Sequence, residues 1–425
     1  MQCFLGRKRG EAEDSRESAE STLSQGRRVP NVHAHTLNRG CNNSPPRSKR
    51  DGEVGMHSRL LQWFVVALAT TLGGSLASAQ IVIGQTAGFT GTVASSVKEA
   101  TDGAKLYFDA VNARGGVNGQ KIELVSLDDK FDPKLTLENA KKLIDQGVVS
   151  LFLNRGTPHT QGLMPLLNEA RVPLVGPSTG AMVLHDPVHP WIFNVRATYQ
   201  REAERAIAHL THVTIARIAI VQVDDTFGAD AAVGLLKGLK DAKLEPVAYE
   251  KYDRSKPDFA PIMPKIVKGD PQAVVFVGSG TAVIDGMKAL RAAGSRAQMV
   301  TLSNNASAGF VKALGDLAHG TVVSQVFPSE RSVSTPIVKE ASELARAKGF
   351  ELTPAGLEGF AAAKVLVEGL RRAGKDTTRA GLKKALDGFS RVNIGGLELS
   401  YSPSNHTGLD YADLSIIGTD GKFRR

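Results

Sequence analysis

From Gln80 onward, short runs of β-branched and other apolar residues alternate with stretches whose apolar positions recur every three or four residues. The runs read as buried parallel strands and the stretches as amphipathic helices, the pattern of stacked βαβ units. A first series predicts strands at 81–83, 122–127, 148–153 and 173–175, with helices at 97–114, 136–146 and 160–171. A second predicts helices at 199–213, 229–242, 258–268 and 282–293, with strands at 218–223, 247–252, 273–277 and 299–301. Beyond these come a strand at 321–326, a loop at 328–336, helices at 337–348, 355–372 and 379–386, and a β-rich tail at 392–423. Two series of similar length predict an α/β chain of two lobes, each with its own sheet. Glycine-rich loops at 84–91, 156 and 278–280 fall at the carboxyl ends of strands, where open α/β sheets bind ligands.

Ahead of this region the pattern changes. A basic stretch at Met56, His57, Ser58 and Arg59 precedes an apolar run over 60–72, too short to span a bilayer comfortably, and then Ala77-Ser78-Ala79. These are the n-, h- and c-regions of a secretory signal, expected to be cleaved after Ala79 so that the mature chain begins at Gln80. Residues 1–55 are rich in Arg, Lys, Ser and Asn and poor in large apolar side chains, so they cannot bury enough surface to fold. Translation is expected to begin at Met56, with 1–55 a non-native or disordered extension.

That division alters the charge balance. Of the 52 Lys and Arg, 11 precede Gln80, and of the 43 Asp and Glu, 7 do, which leaves 41 against 36 in the mature part. A surplus of this size bears on solubility and gives little support for nucleic-acid binding. Both cysteines, Cys3 and Cys41, also precede Gln80, so the mature part has no disulfide and no cysteine nucleophile or metal ligand. No second long apolar run follows the leader, and no cysteine stands at the cleavage point to carry a lipid. A periplasmic, soluble and monomeric protein is expected.

Several motifs occur in order: GQTAGFTG at 84–91, VNARGGVNG at 111–119, Asp128-Asp129 with Asp132-Pro133, PLVGPSTGA at 173–181, Phe193-Asn194-Val195-Arg196, and DDTFG at 224–228. Together this series resembles the leucine/isoleucine/valine-binding proteins over essentially all of 80–425. The resemblance implies a type I periplasmic binding fold, with two Rossmann-like lobes, three crossovers and a ligand cleft. It places lobe one at 80–198 with 328–404, lobe two at 199–327 with 405–425, and the crossovers near Ala197, Phe327 and Asn405. It also implies lobe closure around a solute and delivery to the membrane subunits of an ABC importer, with no cofactor.

In that family a ligand carboxylate is bound by amides and hydroxyls on two loops of lobe one. The matching loops here are Asn154-Arg155-Gly156-Thr157 and Ser178-Thr179-Gly180-Ala181. Hydroxyls and amides at helix N-termini stabilise an anion without burying a full counter-charge. The plainer reading is that Ser178 and Thr179 cap the following helix. Phe227 falls where the family sets an aromatic side chain against the ligand, although a lone Phe is equally a core residue. The positions that match the family's tyrosine and glutamate, which hold an ammonium group, are Ser279 and Ser303. A buried ammonium without an anionic partner is costly. Either the ligand is an amino acid with a rearranged ammonium site, for which Asp224, Asp225 and Glu358 are candidates, or it is an aromatic or short-chain acid or amide without that group. Asp225 could instead cap its helix and Glu358 face solvent. Arg155 favours an anionic ligand, its alternative being a surface arginine on a loop tip.

Other classes fare less well on the same residues. Ser95-x-x-Lys98 has the spacing of a nucleophile and base but sits at a predicted helix start, where serine is an ordinary cap. No G-x-S-x-G occurs, and Gly278-Ser279-Gly280 lacks its spacing. His209 and His212 lie three apart on one helix with no carboxylate to complete a metal site. Catalysis is not expected. A ligand-sensing module remains an alternative because the same fold serves receptors and regulators, which usually carry a membrane span or a DNA-binding segment in the same chain.

Overall fold

A computed structural model describes residues 80–425, so the expected leader at 56–79 and the extension at 1–55 lie outside the described residues. Strands β1 (Ile81–Ala87), β2 (Ile122–Asp128), β3 (Ser150–Phe152), β4 (Leu174–Val175) and β5 (Ile192–Phe193) form a wholly parallel sheet in the order β2-β1-β3-β4-β5. Strands β6 (Ile218–Val223), β7 (Ala248–Tyr252), β8 (Ala273–Val277), β9 (Gln298–Thr301) and β10 (Val322–Gln325) repeat that winding as β7-β6-β8-β9-β10. The antiparallel strands β13 (Asp413–Ile417) and β14 (Phe423–Arg424) extend the second sheet past β10. The two lobes thus share one topology, with a switch point beside β1 in the first and beside β6 in the second, where such sheets open a crevice.

Burial explains why the central strands read as unbroken apolar runs. Every residue of β6 and of β8 is buried, because helices cover both faces of a parallel sheet. Edge strand β7 instead alternates, with Tyr249 and Lys251 exposed. On one face of the first sheet, α2 (Pro133–Asp145) and α3 (Thr157–Ala170) pack Leu143, Leu163 and Leu167 against Leu151, Leu174 and Ile192. On the other, α1 (Ala94–Ala113) and α10 (Pro354–Ala373) bring Phe108 and Phe360 against Ile83 and Phe152. These two helices approach closely: a Cβ on Gly359 would lie 1.7 Å from the Ala100 carbonyl oxygen, and one on Gly103 would lie 1.9 Å from that of Gly356. The second lobe has its own core around Ile220, Phe276 and Met287, with α4 (Tyr199–His212), α5 (Thr226–Asp241) and α7 (Gly280–Ala292) over its sheet.

Differences from the predicted elements have local causes. Helices α1, α2, α3 and α5 each begin three residues earlier than the periodicity predicts, on Ala94, Pro133, Thr157 and Thr226, ahead of the apolar repeat. Ser95 therefore lies inside α1, whose cap position is Val93, and its hydroxyl donates to Glu99 on the next turn. The helix expected at 258–268 is only α6 (Met263–Lys268), with Pro261 and Pro264 in the stretch that was read as helical. A helix absent from the sequence reading, α8 (Ala308–Leu314), follows β9 under a Ser307 cap. Helices α9 (Pro336–Ala347) and α11 (Arg379–Asp387) lie close to their predicted spans, and the tail is two hairpins, β11 (Val392–Asn393) with β12 (Glu398–Leu399), and β13 with β14. Among the described residues, no helix is long and apolar enough to cross a membrane.

Candidate functional site

The loops that leave the carboxyl ends of β3 and β4 are stitched to one another beyond the strands. The Leu153 amide donates to Val175 O (3.1 Å) and the Ser178 amide to Asn154 O (2.8 Å), and Arg155 pairs with Ser178 as an isolated parallel bridge. Gly156 turns the chain into α3 at φ +99°, where a Cβ would also lie 2.5 Å from His159 Nδ1. That geometry is open to glycine and strained for other residues. The outcome is that Arg155 lies inward, 5% exposed, and is no surface residue on a loop tip. Its Nη1 donates to Ser178 Oγ (2.8 Å) and its Nη2 crosses the cleft to the Asn304 carbonyl of lobe two (2.6 Å). Both partners are neutral. Burial pulls the guanidinium below the ordinary arginine range, opposed by Tyr199 and Glu358.

The hydroxyls of Thr157 and Thr179 lie 2.8 Å apart, and the Tyr199 amide donates to Gly180 O (2.7 Å). Neither Ser178 nor Thr179 caps a helix. The segment after them is a single 3-10 turn, Met182–Leu184, with Ala181 in the cap position and no side-chain cap bond. Their hydroxyls face the loops of the site, so the capping reading fails. Phe227 is 3% exposed and belongs to the core of lobe two, and its ring also meets Tyr199 with centroids 4.6 Å apart. Ser279 precedes α7 and receives only a long contact from Asn304 Nδ2 (3.5 Å), whose better acceptor is Gly278 O (2.8 Å).

Ser303 leads to Arg196, which ends the motif at 193–196, and to Glu202 and Ser324, which lie in none of the motifs. Its hydroxyl accepts from Arg196 Nη2 (2.7 Å), and its amide meets Glu202 Oε2 (3.0 Å) and Ser324 Oγ (2.8 Å). Arg196, 1% exposed, forms an ion pair with Glu202, 0% exposed, and lies 4.7 Å over the Tyr199 ring. Ser324 Oγ completes the carboxylate's partners at 2.6 Å. Burial works against the Arg196 charge, yet Glu202 and then Glu358 hold it above the ordinary arginine range. The one sequence signal was local: Arg196, Tyr199 and Glu202 recur every third residue into the first turn of α4.

The three proposed acidic candidates separate cleanly. Asp225 caps α5, accepting from the Phe227 and Gly228 amides (2.9 and 3.0 Å), and pairs with Arg254. Asp224 is exposed and pairs with Lys251 at 3.1 Å. Glu358 does not face solvent: it is 6% exposed on α10, with Oε1 3.7 Å from Arg196 Nη1, and neither of these two atoms has a hydrogen-bond partner. All nine predicted residues therefore fall in one neighbourhood, linked through Asn304, Tyr199 and Arg196. Glu358 joins them.

Cavities flank this cluster and reach it at Ser279 and Asn304. One of about 620 Å³ at the cleft rim is lined by Thr92 and Phe131 from lobe one and by Asp224, Lys251, Tyr252 and Arg254 from lobe two. Another of about 230 Å³ reaches from Tyr252 and Arg254 to Ser279. Arg155, Ser178 and Thr179 line neither, because the lobes are closed over them. Among the described residues, no group of three or more His, Cys, Asp or Glu side chains could hold a metal ion.

Comparison with known proteins places this geometry in a family. The profile described as periplasmic binding protein matches residues 80–415. A "Leu/Ile/Val-binding protein homolog 3" of Brucella melitensis is 24% identical over 343 residues, covering 79% of this chain and 91% of that protein. The Leu/Ile/Val-binding protein of Escherichia coli K12 is 23% identical over 236 residues, covering 55% of this chain and 64% of that protein. Among solved structures, a substrate-binding periplasmic protein from Ralstonia solanacearum superimposes with a TM-score of 0.75 at 30% identity, covering 81% of this chain and 99% of that one. With its two lobes of repeated winding closed over one polar cluster, the chain belongs to the periplasmic binding protein family, of the leucine/isoleucine/valine-binding type.

Proposed function

We propose that the protein is the extracytoplasmic solute receptor of an ABC importer of the branched-chain amino acid type, and that it holds a small carboxylate-bearing solute between its lobes. The observation that carries this reading is Arg155, a buried guanidinium that spans the cleft between two neutral oxygens, with no carboxylate among the described residues paired to it. A buried charge requires a partner, and a ligand carboxylate between Arg155 and the hydroxyls of Thr157, Ser178 and Thr179 supplies one. Phe227, Gly156, Gly180, Ser279 and Ser303 form the rest of the wall. The lobes are residues 80–198 with 328–404, and 199–327 with 405–425, and bending at the crossovers admits the solute. The chain acts as a monomer, as a binder rather than a catalyst, and reaches the periplasm by cleavage after Ala79. N-terminal sequencing of the exported protein tests that last point.

Glu358 favours an amino acid as the solute. Its Oε1, which accepts no hydrogen bond and lies 3.7 Å from Arg196, offers an ammonium group the carboxylate acceptor that Ser279 and Ser303 do not. The second reading, an acid without an amino group, is favoured by Arg196, whose guanidinium donates to Ser303, the position that matches the family's ammonium-holding glutamate. Thermal shift separates them, with L-leucine and L-phenylalanine against 4-methylpentanoate and 3-phenylpropanoate. Saturating solute stabilises the folded form by about 2.7 kcal/mol at a hundred times Kd. Amino acids alone should raise the midpoint, and Glu358→Gln should abolish that rise. Stabilisation by the deaminated acids alone selects the second reading, and Arg155→Met should remove either response. If no carboxylate-bearing compound shifts the midpoint, the receptor reading of Arg155 is wrong.

A further inference from the structure

Beside the polar cluster, the lobes also meet through a second contact, away from Arg155 and the loops at 154–157 and 178–181. Glu99 stands on α1 of lobe one. Its Oε2 accepts from the Ala308 amide and its Oε1 from the Gly309 amide, both at 3.0 Å. These are the first two residues of α8, in lobe two. A helix leaves its first amides without intrahelical partners, and they are ordinarily satisfied by residues just before it. Here Ser307 does so only for the Phe310 amide (3.1 Å). The other two are bonded by the opposite lobe, through a carboxylate set at the positive end of the helix.

Around it the two lobes approach closely along the edge of a cavity of about 200 Å³ that both of them line. Ser95 Oγ donates to Glu99 Oε1 (3.3 Å) and lies 3.4 Å from Ser307 Oγ across the seam. A Cβ on Gly309 would fall 1.8 Å from Ser95 Oγ, and one on Gly280 would fall 1.7 Å from the Thr92 carbonyl oxygen. The Ala355 amide donates to Ala306 O (3.1 Å) a turn further along. Two glycines on lobe two thus let the backbones come within contact of lobe one, and Glu99 bonds at that place.

We infer that Glu99 is a positioning residue for capture: as a helix cap supplied from the other lobe, it holds the closed arrangement and so sets how long a solute is retained. When the lobes part, Glu99 and the two amides each return to water. The contact therefore contributes to closure and not to the folding of either lobe. Apparent affinity scales with the fraction of molecules competent to close, so this residue tunes binding without meeting the solute. The inference does not depend on which solute binds.

The test needs no solute, because the only cysteines in the sequence are Cys3 and Cys41. In the full chain carrying Cys3→Ser and Cys41→Ser, Ser95→Cys and Ser307→Cys place two thiols across the seam. Copper-phenanthroline accepts the two electrons released as the thiols join in a disulfide, and the rate of joining follows how often the lobes meet. In this background Glu99→Gln should slow cross-linking about 3-fold and Glu99→Lys, which sets a cation against the helix N-terminus, about 10-fold. The urea midpoint of the reduced protein should not change. Equal cross-linking rates in all three proteins would overturn the inference. So would a slowing matched by a lower urea midpoint, since Glu99 would then support the fold of its own lobe.

Discussion

The Arg196–Glu202 pair makes a demanding test of how the cleft is held together. Both side chains are essentially without solvent contact, at 1% and 0% exposure. Removing one partner of such a pair leaves a buried charge and costs about 3–5 kcal/mol, whereas replacing both by neutral groups of similar volume is often close to neutral. The structure orders the two single variants. In Arg196→Met the Glu202 carboxylate keeps the Ser303 amide and the Ser324 hydroxyl, but nothing offsets its charge. In Glu202→Gln the guanidinium keeps Ser303 Oγ and gains from Glu358 at 3.7 Å. Arg196→Met should therefore lie near the upper end, about 4 kcal/mol, and Glu202→Gln lower, about 2–3 kcal/mol. The double variant should fall well short of their sum, with an interaction energy of about 2–3 kcal/mol in a double-mutant cycle. Urea unfolding of the full chain, followed by far-UV circular dichroism, gives all four free energies. Losses below about 1 kcal/mol for both single variants, or strict additivity in the double, would mean that these charges are not a coupled buried pair.

Two further outcomes rest on independent features. His159 and His185 are buried and held down to about 4 by burial, with Arg254 and Arg196 respectively adding like charge. A neutral buried histidine takes up its proton more readily when unfolded, so stability should rise with pH between about 4 and 6.5, with about 2 kcal/mol lost per histidine on going from pH 7 to pH 5. Asp129, Asp230 and Glu330, raised by burial, oppose that loss at its acid edge. His159→Gln with His185→Gln should flatten the pH dependence of the urea midpoint, and an unchanged profile would refute this origin. Gly359→Ala would set a methyl group 1.7 Å from the Ala100 carbonyl oxygen and push α10 off α1. It should destabilise by about 1–3 kcal/mol, and an unchanged melting midpoint would show that the helix pair has slack.

How much of this was legible depended on the range of the interactions. Buried central strands announce themselves as apolar runs, so β6 and β8 appear in the sequence at their observed limits. Helix starts do not, because a single turn is too short to show an apolar period. The start of α5 becomes visible only once Asp225 is recognised as its cap. The loops expected to meet an anion were legible through the resemblance, which matches 154–157 and, within the motif at 173–181, Ser178. The Arg196 network was not, although Arg196 itself ends a motif: the stretch 196–202, Ser303, Ser324 and Glu358 are four segments that only the packing of both lobes brings together. Glu99 is harder still to foresee. Read along α1 it is an ordinary charged residue four positions after Ser95, and its partners are two backbone amides more than two hundred residues away. No pattern of side-chain types can signal such a contact, since any residue except proline supplies an amide. The contact between the lobes at Glu99 is therefore the least visible in the sequence, while the residues proposed to meet a solute sit in short stretches that can be read.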